Sequence, residues 1–377
     1  MSEVGFDEAL RTILSTVLPL PEEDVALAHA LGRVTATTVV ADEDAVPFPR
    51  SAMDGYAVRA SEYALAMQDR PIEVPVAGQV FAERGESTLA PGTALAIATG
   101  APIPRGADAV IPQERTERHG TAVSIFAPIT PGDCVFPPGE DFRRGDELVK
   151  PGEVLNSGKL SLLAFAGKPT VRVFWRPRVS IVCTGNELVD VAATPTHGQV
   201  RNSNAVALSA LVLANGGEPR YEGVAPDDGA ALAAILQRGA RDADLLITTG
   251  GVPVCILPGN PAAAFVCFQK LVRPALARLS GRCATGLPEL RARLDTELHG
   301  RPGRRYFVLA HLHRERDSFV VQPLANQCSA LVRTTADANA IVTVREAASG
   351  SKTGLHRDEM VDVEVFDWPS VFESSRN

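Results

Sequence analysis

Residues 245–264 read "LLITTGGVPVCILPGNPAAA". Two short apolar runs, Leu245–Thr248 and Val254–Leu257, each end in a glycine-bearing loop, and the second loop leads into a helix-forming stretch. Each half predicts the end of a parallel strand that delivers backbone N–H groups to an anion. Glycine lets a backbone approach a phosphate closely, and a helix start adds a favourable dipole. Pro261 suits the first helical turn, where its missing N–H costs nothing. Yet only five residues separate the two runs. Parallel neighbours ordinarily need a crossover of about a dozen residues. The spacing therefore predicts that a segment is missing between Val252 and Pro253.

Upstream the alternation is regular. Strand "VSIVC", loop "TGNE", a helix over 203–215, strand "RYEGV", a helix over 228–240 and strand "LLIT" follow one another, and a helix over 261–279 closes the series. That β-α-β-α-β order predicts a doubly wound parallel sheet with its ligand at the strands' carboxyl ends. Three loops fall at that edge: Thr184 with Gly185, Thr248 through Gly250 and Gly251, and Leu257 through Pro258, Gly259, Asn260 and Pro261. One such loop is more often an ordinary turn. Three on one edge favour an anion site.

Outside this region the texture changes. Phe6, Leu10, Ile13, Leu14, Val17 and Leu18 share a helical face, which predicts an amphipathic helix over 3–18. A second helix is expected after Pro21, with acids in its first turn and Gly32 past its end. "VTATTVVA" reads as a strand. From about Asp44 to Asp141, short runs such as "IEVPVAG", "TALAIAT" and "AVSIFAP" alternate with Pro and Gly, as in a compact β-rich domain. "NSGKLSLLAFAG" returns to helix. Beyond about Arg291, "RYFVLAHL", "SFVVQPL" and "AIVTV" predict a small β domain. The fold class is thus α/β plus β: a doubly wound α/β domain, a β-rich insertion, a helical and mixed N-terminal linker domain, and a C-terminal barrel-like β domain.

The formal net charge of −8 over 377 residues, with no basic run, argues against nucleic acid and membrane surfaces as partners. No 18-residue apolar stretch and no export signal is apparent, so a cytoplasmic location is expected. Six cysteines without a C-x-x-C spacing predict free thiols rather than zinc ligands or disulfides. The acids Asp54, Asp141, Glu187, Asp227 and Asp228 are scattered. Asp54-Gly55 also suits a turn and Asp227 a helix cap; gathered round a phosphate, such carboxylates suit Mg²⁺. His311-x-His313 would share a strand face, where a solvated edge is favoured over a metal pair lacking a third ligand.

Taken together, "VPFPRSAMDGYAV", "AIATGAPIPRGADAVIPQE", "GEDFRRGDELVKPG", "RPRVSIVCTGNELV", "DLLITTGGV" and "LPGNPAAAFVCFQKLVRPAL" resemble the MoeA family of molybdopterin molybdotransferases, in the family's order and over about residues 5–368. The family is similar to the E domain of gephyrin, and its α/β domain resembles MogA-type adenylyltransferases. The resemblance implies four domains: 1–43 with 142–172, 44–141, 173–284 and 285–370. It implies a homodimer whose active site is shared between subunits. The implied reaction inserts molybdate into adenylylated molybdopterin, with Mg²⁺ and loss of AMP. By motif position, Asp54, Thr99, Asp141, Glu187 and Asp227 match the functional polar positions, with Asp54, Glu187 and Asp227 as metal ligands and Ser329 near molybdate. A MogA-type adenylyltransferase and molybdoenzyme or cofactor-carrier proteins are the implied partners.

Three departures stand out. The family continues past "GGV" through an aspartate and a lysine-bearing strand, whereas "TTGGV" here joins directly to "PVCILPGNP". In "GRRYFVL", Tyr306 and Leu309 replace an acid and an arginine, and "TGNEL" carries Asn186 for aspartate. These departures keep a second reading open, a non-catalytic MoeA-like paralogue that binds molybdopterin or a partner protein. A single-domain adenylyltransferase is disfavoured by the flanking β domains.

Overall fold

The strand Arg178–Thr184 has parallel partners on both sides, Glu218–Ala225 and Leu245–Thr249, and the latter pairs in turn with Ile256–Leu257. The structure is a computed structural model describing residues 4–81, 87–249, 256–346 and 354–373. The first strand's side chains alternate between two cores, as the two-residue period of a strand requires. Val179, Ile181 and Cys183 pack with Leu208 and Val212 of helix Ser203–Ala214 and with Phe268 and Leu276 of the 261–279 helical segment. Val182 packs on the opposite face with Leu232, Ile235 and Leu236 of helix Gly229–Ala240. Both faces are covered, which is why these strands read as nearly continuous apolar runs.

In chain order the four strands lie 2-1-3-4. The order reverses between the first and third, and the crevice of a doubly wound sheet opens at such a reversal. The last pair resolves the spacing puzzle at the level of geometry. Thr248 pairs with Ile256 and Thr249 with Leu257, so the overlap is two residues. A return over so short an overlap spans one or two residue rises of about 3.3 Å and one inter-strand step of about 4.8 Å. A short link can cover that distance, and a full helical crossover is needed only for longer strands. Residues 250–255, including Gly250, Gly251 and the junction at Val252, lie outside the described residues.

The chain divides into two compact units, residues 1–37, 151–156 and 170–377 forming one and residues 38–150 and 157–169 the other. The first holds the parallel sheet and a closed five-stranded barrel in which 289–294, 318–323, 306–315, 340–344 and 360–365 are neighbours in turn. Its core is Leu294, Leu312, Val321, Val342 and Val363 with their neighbours. His311 and His313 share one face of the barrel strand Tyr306–Glu315, their rings stacked at 5.7 Å. The N-terminal helix spans Phe6–Thr16. No helix among the described residues is long and apolar enough to cross a membrane.

Two predicted elements are corrected. "VTATTVVA" is not one strand: Val34 and Thr35 make single bridges, to Val154 and Val173, and only Val39–Val40 forms a short strand. The stretch after Pro21 forms a strand, Glu22–Ala26, and a single 3-10 turn, Leu27–His29, instead of a helix. The strand pairs antiparallel with Thr170–Phe174, and Glu22 and Asp24, two residues apart and so on one face, both bind Arg172 at 3.1 and 2.9 Å. Acids that suited a first helical turn serve a cross-strand guanidinium.

The second unit carries a six-stranded sheet ordered 109–112, 55–58, 94–97, 72–80, 122–125, 116–119. Gly55 opens the strand Gly55–Val58 between Ile97 on one side and Pro112 on the other. A Cβ at Gly55 would fall 1.9 Å from the Ile111 carbonyl oxygen. The glycine after Asp54 is therefore demanded by the sheet. Gly55→Ala should lower the stability of this unit by about 1–3 kcal/mol or more, the range for overpacking a well-packed interior, read as a lower denaturant midpoint. An unchanged midpoint would show that the strands separate without cost.

Candidate functional site

The parallel register brings four loop starts together. Thr184 lies opposite Ala225, Cys183 opposite Thr249, and Thr249 opposite Leu257. The residues that follow are Gly185-Asn186-Glu187, Pro226-Asp227-Asp228, the undescribed 250–255, and Pro258-Gly259-Asn260. The Thr184 hydroxyl donates to the Thr249 carbonyl at 2.6 Å, across the reversal of strand order.

Gly185 has φ +141°, in the region that favours glycine, and a Cβ there would meet the Glu187 carboxylate at 2.5 Å. Glu187 thus folds back over the bare backbone at the sheet edge. The Asp227 amide donates to Asn186 Oδ1 at 3.2 Å. An aspartate at 186 would accept the same bond, so that departure from the family pattern preserves the contact. The helix Gly229–Ala240 is capped by Asp228, whose side chain accepts from Ala231. Asp227 is consequently free of the capping role, exposed, with no hydrogen bond to its carboxylate among the described residues.

The Leu257–Pro261 loop is held from two sides. Asn204, in the first turn of helix Ser203–Ala214, donates to the Gly259 carbonyl at 2.8 Å. Asn260 Nδ2 donates to Ser329 Oγ at 3.1 Å, and the Ala262 amide donates to the Ser329 carbonyl at 3.0 Å. Ser329 comes from the barrel region of the sequence, and the structure joins it to Asn260. Its oxygen accepts from Asn260, leaving its proton to offer outward. One expected anion donor is lost, because the Ala262 amide is taken. Among the described residues the amides of Gly259, Asn260 and Ala263 bond to no protein acceptor. Asn204 was not picked out from the sequence; its only signal was "RNSN" at a helix start beside the first glycine loop.

Leu309 is 3 % exposed and packs with Ala262, Ala338 and Ile341 beneath the start of the 261–279 helical segment. Gln327 fixes its backbone, accepting from its N–H and donating to its carbonyl. The position is an apolar floor of the Pro258–Ala262 turn, and it presents no charge.

In the second unit, Asp54 Oδ1 accepts from the Thr99 amide at 2.7 Å and from the Thr99 hydroxyl at 2.8 Å. These two bonds hold the carboxyl below the usual carboxylate range, the backbone bond contributing most. Its other oxygen faces solvent. Asp141 is exposed and makes no hydrogen bond to the Asp54–Thr99 pair, and among the described residues its carboxylate has no partner. No group of three or more His, Cys, Asp or Glu side chains among the described residues is placed to hold a metal ion. Among the described residues of the first unit, Glu187 and Asp227 have no third such side chain beside them, and His311 with His313 gains no third ligand.

The comparisons agree with this geometry. The chain matches the MoeA N-terminal region (domains I and II) over residues 4–167, a probable molybdopterin binding domain over 180–254, and the MoeA C-terminal region (domain IV) over 291–366. It is 32% identical to the molybdopterin molybdenumtransferase of Nostoc sp., over 77% of each chain. It is 29% identical over 419 positions to molybdopterin molybdenumtransferase 1 of Mycobacterium tuberculosis, covering 95% of this chain and 97% of the relative. With 377 residues here, at least 42 of those positions (419 less 377) have a residue in the relative and none in this chain. The crystal structure of a molybdopterin biosynthesis moeA protein from Pyrococcus horikoshii OT3 superposes with a TM-score of 0.87 at 28% identity, covering 97% of this chain and 100% of that one.

Two outcomes check the site. Among the described residues nothing lies within 4 Å of a Cβ placed on Gly259. Gly259→Val should keep the unfolding temperature and weaken binding of a pterin phosphate; unchanged binding would make the loop a plain turn. Thr99→Val removes the hydroxyl bond to Asp54 and keeps the amide bond. The Asp54 carboxyl should then titrate higher by NMR, part of the way back to the ordinary value. Its charged form is favoured by folding, so this contribution exists above the unfolded pKa and is lost as pH falls through the folded one.

Proposed function

This chain belongs to the MoeA family, and from that premise we propose that it is a molybdopterin molybdenumtransferase, inserting molybdate into adenylylated molybdopterin with release of AMP in molybdenum cofactor biosynthesis. The observation that carries the reading is the meeting, at one sheet edge, of the Thr184–Glu187, Asp227 and Pro258–Asn260 loops with Ser329. Relatives such as the Nostoc protein bear that activity in their name.

The substrate's phosphate suits the amides of Gly259, Asn260 and Ala263, which a bare glycine leaves accessible. Gly185 leaves the backbone bare where the Glu187 carboxylate folds over it, which holds that carboxylate at the sheet edge. Since no three-ligand cage exists among the described residues, Mg²⁺ would be held as it commonly is, by one or two carboxylates together with water and the substrate's phosphates. Glu187 and Asp227 are the free carboxylates at that edge. Bound there, Mg²⁺ would neutralise charge on the phosphates. In the second unit Asp54, its charged form favoured by Thr99, is a further exposed carboxylate. A cytoplasmic homodimer receiving its substrate from a MogA-type adenylyltransferase, and passing its product to molybdoenzymes or cofactor carriers, completes the reading.

Molybdate is the weak point. A buried or half-buried dianion needs cations or several donors. Ser329 offers one neutral hydroxyl, worth about 1 kcal/mol net, where charged partners give about 1.5–3 kcal/mol each. Leu309 offers none, and at least 42 positions of the longer relative have no counterpart here. Losing several charged donors weakens binding by orders of magnitude, since each 1.4 kcal/mol is about tenfold. This same observation favours the second reading, a paralogue that holds molybdopterin without loading it.

In a strain lacking its own insertase, this protein should fail to restore molybdoenzyme activity at low molybdate and restore it partly at high molybdate. Full restoration at low molybdate would refute the weak-anion argument. No restoration at any concentration, by folded protein that still binds molybdopterin, would select the non-catalytic reading.

A further inference from the structure

Beside Asp54 lies a feature that the phosphate loops and the acids do not use. Arg50 and Ser51 form a two-residue antiparallel ladder with Val135 and Phe136, Arg50 opposite Phe136. The Arg50 guanidinium carbon sits 5.3 Å from the centre of the Phe136 ring. Both flanking turns are pinned. The Ala52 amide donates to the Cys134 carbonyl at 2.9 Å, the Ser51 amide to the Ala101 carbonyl at 2.9 Å, and the Gly100 amide to the Ser51 carbonyl at 2.8 Å. Arg50–Asp54, Thr99–Ala101 and Cys134–Phe136 therefore make one rigid floor, and Asp54 is anchored on it through Thr99.

The floor is apolar and open. Phe136, Met53 and Phe48 are 38%, 42% and 41% exposed. Among the described residues Arg50 makes no ion pair and no side-chain hydrogen bond, so its five N–H groups are uncommitted. A guanidinium over a phenyl ring in a cation–π contact keeps N–H groups at its edge that can take a phosphate. Arginine and aromatic faces take heterocycles in this way with little dependence on which heterocycle it is.

We propose that Arg50 and Phe136 form the seat for a phosphate-bearing fused-ring heterocycle, the ring stacking on the Arg50–Phe136 pair and the phosphate meeting the Arg50 fork. This rests on the reading above and deepens it. Adenylylated molybdopterin has two such groups, the adenylate and the pterin phosphate, and the seat takes one of them.

The test uses the full-length protein and two probes, AMP and molybdopterin without its adenylate, with affinities measured by calorimetry. Arg50→Ala and Phe136→Leu should each weaken one of the two probes about tenfold to a hundredfold, the scale of losing one stacked ring. The probe that responds identifies the group seated. Phe136→Tyr should restore binding, since it keeps the ring, whereas Arg50→Lys should not, since it keeps only the charge. In turnover the loss should appear in KM for adenylylated molybdopterin, with kcat nearly unchanged. Circular dichroism and thermal unfolding report whether each variant is folded, and the tyrosine and lysine variants decide the matter if the smaller ones are not. Wild-type protein that binds neither probe would overturn the parent reading. Wild-type protein that binds, with Arg50→Lys and Phe136→Leu binding equally well, would overturn the seat alone.

Discussion

The parallel pairing of Arg178–Thr184 with a strand on each side is the constraint on which the candidate site depends. Parallel register sends every strand end to the same edge, so loops distant in sequence become neighbours without any side chain having to choose its partner. The Thr184 hydroxyl bond to the Thr249 carbonyl locks the two strands at which the order reverses. Displace that pairing and Glu187, Asp227 and Gly259 lose their common edge. The apolar alternation of Val179, Ile181 and Cys183 against Val182 maintains the register, because a one-residue slip would expose both cores.

A second layer of control is polar and local. Asn204 and Asn260 spend their side-chain amides on holding the Pro258–Pro261 turn to a helix on one side and to Ser329 on the other. Asn260 stands at the N-cap position and makes no capping bond. The usual helix-starting interaction has been given up for a tie to Ser329, which fixes the loop against the residue facing it. In the second unit Thr99 does the equivalent work for Asp54, with two donors on one oxygen and the other oxygen left to solvent. Both arrangements orient a polar atom outward by saturating its neighbour.

The departures from the family pattern differ in weight. Asn186 accepts the Asp227 amide as an aspartate would, so its chemistry at that point is conserved. Leu309 is a settled member of an apolar cluster with Ala262, Ala338 and Ile341, and a charge there would be buried without a partner. Thr248 and Thr249 pair with Ile256 and Leu257 over two residues only, and the longer relative has at least 42 positions without a counterpart in this chain.

The sequence by itself determined the elements whose periodicity is set by burial. The parallel strands, their helices and the barrel strands could be read directly, since a residue facing a core must be apolar at every second or every third to fourth position. The resemblance assigned Ser329 to molybdate and the Pro258–Pro261 loop to a phosphate, and the fold alone shows Asn260 bonded to Ser329. What the tertiary structure alone decided are choices in which one residue type suits two settings. Glu22 and Asp24 suit a helix start or a strand face, and only Arg172 across the ladder selects the strand. Gly55 suits a turn, and only the Ile111 carbonyl at 1.9 Å from its missing Cβ places it in a sheet. Asp227 and Asp228 are equal candidates to cap a helix until the backbone turns Asp228 onto Ala231 and leaves Asp227 free. Arg50 and Phe136, eighty-six positions apart, carry no shared pattern in the sequence, because a cross-strand stack depends on register and register is a property of the folded sheet.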